Sequence, residues 1–64
     1  MNLIEGLQEE LDRNKELLEV YKSIPTGGFG ATMISQTIKA AEKAMALQDT
    51  IEMLRCYKAL TENE

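Results

Sequence analysis

At 64 residues, with a net charge of −4, no histidine and one cysteine, the chain is long enough for one small domain and too short for a large core. A domain of this size buries only about 60% of the surface of its unfolded chain, so we expect self-association to supplement its core. Neither an intramolecular disulfide nor an ordinary zinc site is expected. The negative net charge disfavours nonspecific nucleic-acid binding.

The composition is 44% hydrophobic and 28% charged, which is typical of a globular helical protein. No apolar run approaches the roughly 20 residues of a membrane span. The N-terminus lacks the basic flank and apolar segment of a secretory signal. We therefore expect no membrane association and a cytoplasmic location.

The first predicted helix spans about 2–23. Its apolar residues recur at three- and four-residue steps and form one stripe: Leu3, Ile4, Leu7, Leu11, Leu18 and Tyr21. Asn2 is suited to the N-cap, and Glu5 three residues later completes a capping-box pattern. Asn14 interrupts the stripe, and two interpretations stay open: a polar residue that fixes register and oligomer state in a coiled coil, or an asparagine bonded at the stripe's edge or to water.

A loop is predicted over 24–31, where the only proline and three of the four glycines occur. Pro25 disfavours a helical conformation at the preceding residue and ends the first helix. Gly27 and Gly28 permit positive φ angles. We expect Phe29 to pack over the end of the core, with stacking on a ligand as the alternative.

Two further helices are predicted, over about 32–47 and 50–61. The apolar stripe of the first is Met33, Ile34, Ile38, Ala41, Ala44 and Met45, and that of the second is Ile51, Leu54, Tyr57 and Leu60. The two stripes differ in phase by ~120° or more, and Asp49 with Glu52 forms a capping-box signal between them. One continuous helix is the alternative. The patterns predict an all-α antiparallel helical hairpin with a short third helix, packed as an oligomer.

No acidic residue occurs from Val20 to Ala41 in a chain that is otherwise acidic. Backbone N–H groups at a glycine-rich helix N-terminus bind phosphate. The candidate ligand-binding residues are the lysines, hydroxyls, glycines and rings around the loop: Tyr21, Lys22, Thr26, Gly27, Gly28, Phe29, Gly30, Thr32 and Lys39. A plain interhelix turn is the alternative, because Gly-Gly-Phe-Gly is not a Walker sequence. We expect no catalysis, since histidine is absent, and no metal or cofactor.

Two segments, Ser23–Ile34 and Met53–Leu60, resemble small accessory proteins of tailed phages and prophages. The resemblance implies a compact helical protein that counters host defence by forming homo-oligomers, which sequester cyclic nucleotide or ADP-ribose-derived signals between subunits. The alternative is a protein-interaction module that inhibits a host defence protein or acts as an antitoxin-like partner. Ala44–Leu60, with Asp49 at the turn, also resembles the helix junction of a tetratricopeptide repeat, which implies only a mode of helix packing.

Overall fold

The computed structural model describes residues 2–63, which form three α-helices and no β-strand. The helices are α1 (Leu3–Lys22), α2 (Gly28–Ala46) and α3 (Thr50–Glu62). Each packs against the other two. The all-α prediction with a short third helix is therefore confirmed.

Helices α1 and α2 run antiparallel. Lys22, at the end of α1, borders the same groove as Thr32 near the start of α2. Further along, Lys15 Nζ lies 3.4 Å from Glu42 Oε2. The five-residue connection over 23–27 therefore reverses the chain direction.

The core draws on apolar residues from all three helices: Leu7, Leu11, Ile34, Ile38, Ala41, Ala44, Met53, Cys56 and Leu60. Several predicted stripe members lie outside it, because the α1 and α2 stripes are wider than the contacts those helices make, and the predicted α3 stripe is centred on a different side of its helix. Ile4 is 57% exposed and Met33 50% exposed. On α3 the core takes Met53, Cys56 and Leu60 and leaves Ile51 and Leu54 in solvent.

Asn14 is completely buried and fully bonded. Its Nδ2 donates to the carbonyl oxygens of Glu10 (2.8 Å) and Leu60 (3.2 Å), and its Oδ1 accepts from Asn63 Nδ2 (2.9 Å). Arg13 Nη2 donates to the same Leu60 oxygen at 2.6 Å. Asn14 therefore lies in the core and not at the edge of the stripe, and its amide holds the C-terminal end of α3 on α1 within one chain. A role in oligomer state stays a prediction.

Helix α2 begins at Gly28, four residues before the predicted start at Thr32. The Ala31 N–H donates to the Gly27 carbonyl at 2.8 Å, so the helical ladder already starts within the glycine-rich segment. No glycine among the described residues has a positive φ. Gly27 is required for a different reason: it is buried, and a Cβ there would collide with the backbone carbonyl of Tyr21.

The prediction that Phe29 packs over the end of the core is wrong, since its side chain is 82% exposed. Because α2 starts at Gly28, Phe29 occupies a helical position. It lies about 120–180° around the helix from the buried Ile34, Ile38 and Ala41. The ring consequently points away from the core.

A tight corner over 47–49 separates α2 from α3. Gln48 adopts φ 55°, the only positive φ among the described non-glycine residues. The Asp49 N–H donates to the Ala44 carbonyl at 2.9 Å, and the Asp49 side chain accepts from the Glu52 N–H at 3.2 Å. The cap predicted at Asp49 therefore begins α3, as the Asn2 side chain begins α1 by accepting from the Glu5 N–H at 2.8 Å.

Candidate anion-binding groove

A surface groove of about 360 Å³ lies between the C-terminal half of α1 and the N-terminal half of α2. It is lined by Leu18, Lys22, Ala31, Thr32, Ser35, Gln36 and Lys39. Leu18 and Lys22 are one helical turn apart on α1, and the residues from α2 recur at three- and four-residue steps. Antiparallel packing of two regular helices therefore assembles this site.

Both cationic side chains of the groove are exposed and available to a ligand. Lys22 and Lys39 form no ion pair with another of residues 2–63, whereas Arg13, Lys15 and Arg55 each do. The nearest acid along α2 is Glu42, which is engaged by Lys15. The groove thus presents two positive charges within an acid-free part of a chain whose net charge is −4.

Hydroxyl and amide groups line the floor and wall between the lysines. Thr32 Oγ1 donates to the Gly28 carbonyl at 3.0 Å, which leaves its lone pairs free to accept from a ligand. Ser35 is half-buried and Gln36 exposed on the same helix. Together these groups supply both donors and acceptors beside the two cations.

The N-terminus of α2 lies one turn from this groove. Gly27 is its N-cap, no side chain caps it, and its first turn holds no acidic residue. The Gly27 N–H is occupied by the Ile24 carbonyl at 2.9 Å. The following three N–H groups, of Gly28, Phe29 and Gly30, precede the first intrahelical bond and have no partner within the helix. The helix dipole adds about half a positive charge there.

Of the nine predicted site residues, the structure brings three together in the groove: Lys22, Thr32 and Lys39. The others lie outside its lining: Tyr21, Thr26, Gly27, Gly28, Phe29 and Gly30. The Tyr21 ring packs against the position where Gly30 would carry a Cβ, so that ring is engaged within the fold. Phe29 projects into solvent beside the outer edge of the groove, about 20° around α2 from Gln36.

Sequence reasoning missed Leu18, Ala31, Ser35 and Gln36. The signal was present in the spacing, because residues 32, 35, 36 and 39 share one face of a helix. The early helix start at Gly28 also extends that face to Ala31.

The single thiol, of Cys56, is buried in the core rather than near the groove. Burial raises the pKa of this thiol, and the carboxylate of Glu52 raises it further. The thiolate is the nucleophilic form. Cys56 therefore acts as a small core side chain.

No family model, curated protein or solved structure matches the chain. Within the described residues, no helix is both long enough and apolar enough to cross a membrane. Residues 2–63 likewise contain no group of three or more cysteine, aspartate or glutamate side chains placed to hold a metal ion.

Proposed function

We propose that this protein binds an anionic, nucleotide-derived small molecule in the groove between α1 and α2, and sequesters it as a homo-oligomer. The observation that carries the proposal is the pair of unpaired lysines, Lys22 and Lys39, bordering one groove with Thr32 in the acid-free part of an acidic chain. An anion approaching elsewhere meets net negative charge, whereas here it meets two cations.

Phosphate is the anionic group that this arrangement suits best. Lysine ammonium groups bind phosphate as compact point charges, and the hydroxyls of Thr32 and Ser35 supply hydrogen bonds to phosphate oxygens. Leu18 and Ala31 add apolar surface on which a base or ribose can lie. The groove holds about 360 Å³, which falls within the usual range of small-molecule sites.

We propose binding without turnover. The groove contains no carboxylate, and the chain contains no histidine to act as a general base. The phage-type resemblance of Ser23–Ile34 supports a biological setting in which a captured signal is held in the host cytoplasm and kept from its receptor. Sequestration of this kind requires high affinity and a high concentration of the protein, and it requires no catalysis.

The proposal is tested by thermal-shift and calorimetric titration against cyclic dinucleotides, linear dinucleotides and ADP-ribose, with adenosine as the uncharged control. A ligand at 100 times its Kd raises the unfolding free energy by about 2.7 kcal/mol. We expect Lys22→Glu and Lys39→Glu to weaken binding at least tenfold. Lys58→Glu, an exposed lysine on α3 away from the groove, is the matched control and should bind as the wild type does. Binding of no phosphate-bearing compound would refute the proposal.

A second candidate function rests on the outer face of α1. Five carboxylates, of Glu5, Glu9, Asp12, Glu16 and Glu19, fall within about 80° around that helix, and all five residues are exposed. An acidic stripe of this kind suits a basic protein surface, as in an inhibitor of a defence protein or an antitoxin-like partner. This alternative predicts a defined complex with one protein and no response to nucleotides.

A further inference from the structure

Helix α2 carries both an exposed apolar side chain and a hollow that can receive one. Phe29, near its N-terminus, is 82% exposed. Near its C-terminus lies a hollow of about 330 Å³, lined by Ala40, Lys43, Ala44, Leu47, Asp49 and Glu52. The small side chains of Ala40 and Ala44 leave room there, and Leu47, 67% exposed, adds apolar surface.

The side chain and the hollow lie on the same stripe. Phe29, Met33, Ala40 and Leu47 fall within about 40° of one another at 3.6 residues per turn, over about 27 Å of helix. All four are exposed. Since α1 and α3 cover other faces of α2, no part of the described chain covers this stripe.

We propose that this face binds a second copy of the chain, with the two α2 helices packed antiparallel and Phe29 of each copy inserted in the hollow of the other. The inference rests on the self-association part of the proposed function and names the surface that carries it. It also accounts for a phenylalanine that contributes nothing to the core of its own chain.

The spacing along α2 fits a two-fold axis. If the axis passes near Gln36, Met33 of one copy lies opposite Ala40 of the other, and Phe29 lies opposite Lys43. Each contact is made twice, which closes the dimer and leaves no free stripe to continue the assembly. The small Ala40 side chain also lets the helices approach closely.

Charge favours a second copy at this face. Antiparallel pairing places the N-terminal end of α2, which carries no acid and the positive end of the helix dipole, beside the Asp49 and Glu52 carboxylates that line the hollow of the other copy. Two copies joined through α2 keep their acidic α1 stripes apart and avoid most of the repulsion between chains of net charge −4.

Surface area is consistent with such a contact. The chain exposes 4492 Å², whereas a monomer of its mass is expected to expose about 4100 Å². A standard interface covers about 800 Å² per partner, less than a fifth of the exposed surface. A large aromatic ring seated in a pocket is the kind of contact that dominates binding free energy.

Sedimentation equilibrium of the full chain at micromolar concentration is the first test. We expect the wild type to be a dimer, and Phe29→Glu to weaken the dimer at least 100-fold. Glutamate in the first turn of a helix is favourable, so this variant should stay folded by circular dichroism. Ile4→Glu, at an exposed apolar residue outside the stripe, should associate as the wild type does. A monomeric wild type, or an undiminished Phe29→Glu dimer, would overturn the inference.

Cross-linking tests the antiparallel register. Residues 33 and 40, which lie opposite each other across the proposed axis, are about 10 Å apart along one helix, too far for an intrachain disulfide. On mild oxidation, Met33→Cys/Ala40→Cys, which keeps Phe29, should therefore form a covalent dimer, while either single variant should not. The wild type, whose Cys56 thiol is buried, controls for background oxidation. A covalent dimer of Met33→Cys alone, or a ladder of larger species from the double variant, would contradict the two-fold arrangement.

Failure of this inference is distinguishable from failure of the proposed function. A wild-type dimer that binds none of the screened nucleotides supports the α2 interface and refutes nucleotide binding. A wild-type monomer that binds ADP-ribose or a dinucleotide does the opposite. Calorimetry and sedimentation on the same wild-type sample therefore separate the two.

Discussion

Two polar clusters lie on α1 about two turns apart, and they differ in burial and in whether their polar groups are bonded within the protein. The cluster at Asn14 faces α3, is buried, and has each amide group bonded. The cluster at Lys22 faces α2, is exposed, and has no ion pair to the described residues. The difference separates polar residues that hold this protein together from those that remain available to a ligand.

Replacing Asn14 should produce the largest effect on stability. Asn14→Ala leaves a cavity and removes the partners of Asn63 and Leu60 at the end of α3. We expect a loss of about 3 kcal/mol, seen as a fall in Tm of about 10 °C or more. Lys39→Ala, at an exposed residue of the groove, is the control and should change the unfolding free energy by less than about 0.5 kcal/mol. Equal melting temperatures for the two variants would contradict the claim that the Asn14 cluster stabilises the fold and the groove residues do not.

The Asn14 cluster also marks a limit of prediction from sequence. The sequence shows an asparagine within an apolar stripe, and helical periodicity places it on the inner face. Its partners are 46 and 49 residues away, at Leu60 and Asn63. Because local periodicity carries no information on which helix covers which face, only the assembled fold distinguishes a bonded core amide from a polar edge.

The groove was predicted in part for a similar reason. The absence of acids, the lysines and the hydroxyl side chains can be read directly from the chain, and Lys22, Lys39 and Thr32 were predicted as site residues on those grounds. The prediction treated Gly28 and Gly30 as part of a phosphate-binding loop, whereas both lie in α2. Because α2 starts at Gly28, the candidate site is a helix face that includes Ser35 and Gln36, and Phe29 projects into solvent beside its outer edge.

The two adjacent glycines should respond oppositely to alanine. At Gly27 an added Cβ collides with the Tyr21 backbone carbonyl, which cannot rotate away, so Gly27→Ala should cost about 1–3 kcal/mol. At Gly28 no atom lies within 4 Å of an added Cβ, and α2 has already begun. Gly28→Ala should therefore be neutral or stabilise by up to about 1 kcal/mol. Urea unfolding of both variants measures the contrast, and a destabilised Gly28→Ala would indicate that its backbone has another role.

Ionic strength should act on the groove and leave the Asn14 cluster unchanged. Raising salt from 0.1 M to 1 M shortens the Debye length from about 10 Å to 3 Å. Affinity for ADP-ribose, or for whichever screened nucleotide binds, should then fall about tenfold. The stability difference between wild type and Asn14→Ala should hold steady, because the amide is neutral. Calorimetry and urea unfolding at both salt concentrations provide the comparison, and salt-independent affinity would argue against Lys22 and Lys39 as phosphate ligands.

The smallest expected effect concerns Cys56, which lies one turn before Leu60 on the buried side of α3. Burial, with a smaller contribution from Glu52, raises the pKa of this thiol above its ordinary value of 9.0. Below that value both the folded and the unfolded chain hold the proton, so Cys56 adds no pH dependence. As pH rises past about 9, the unfolded chain releases the proton first, and stability declines until the folded-state pKa is passed. Lysines and tyrosines titrate in the same range, so the test is the difference in unfolding free energy between wild type and Cys56→Ala. That difference should be constant from pH 6 to 8 and shift against the wild type from pH 9 to 10; a constant difference throughout would mean that the thiol is not desolvated by the core.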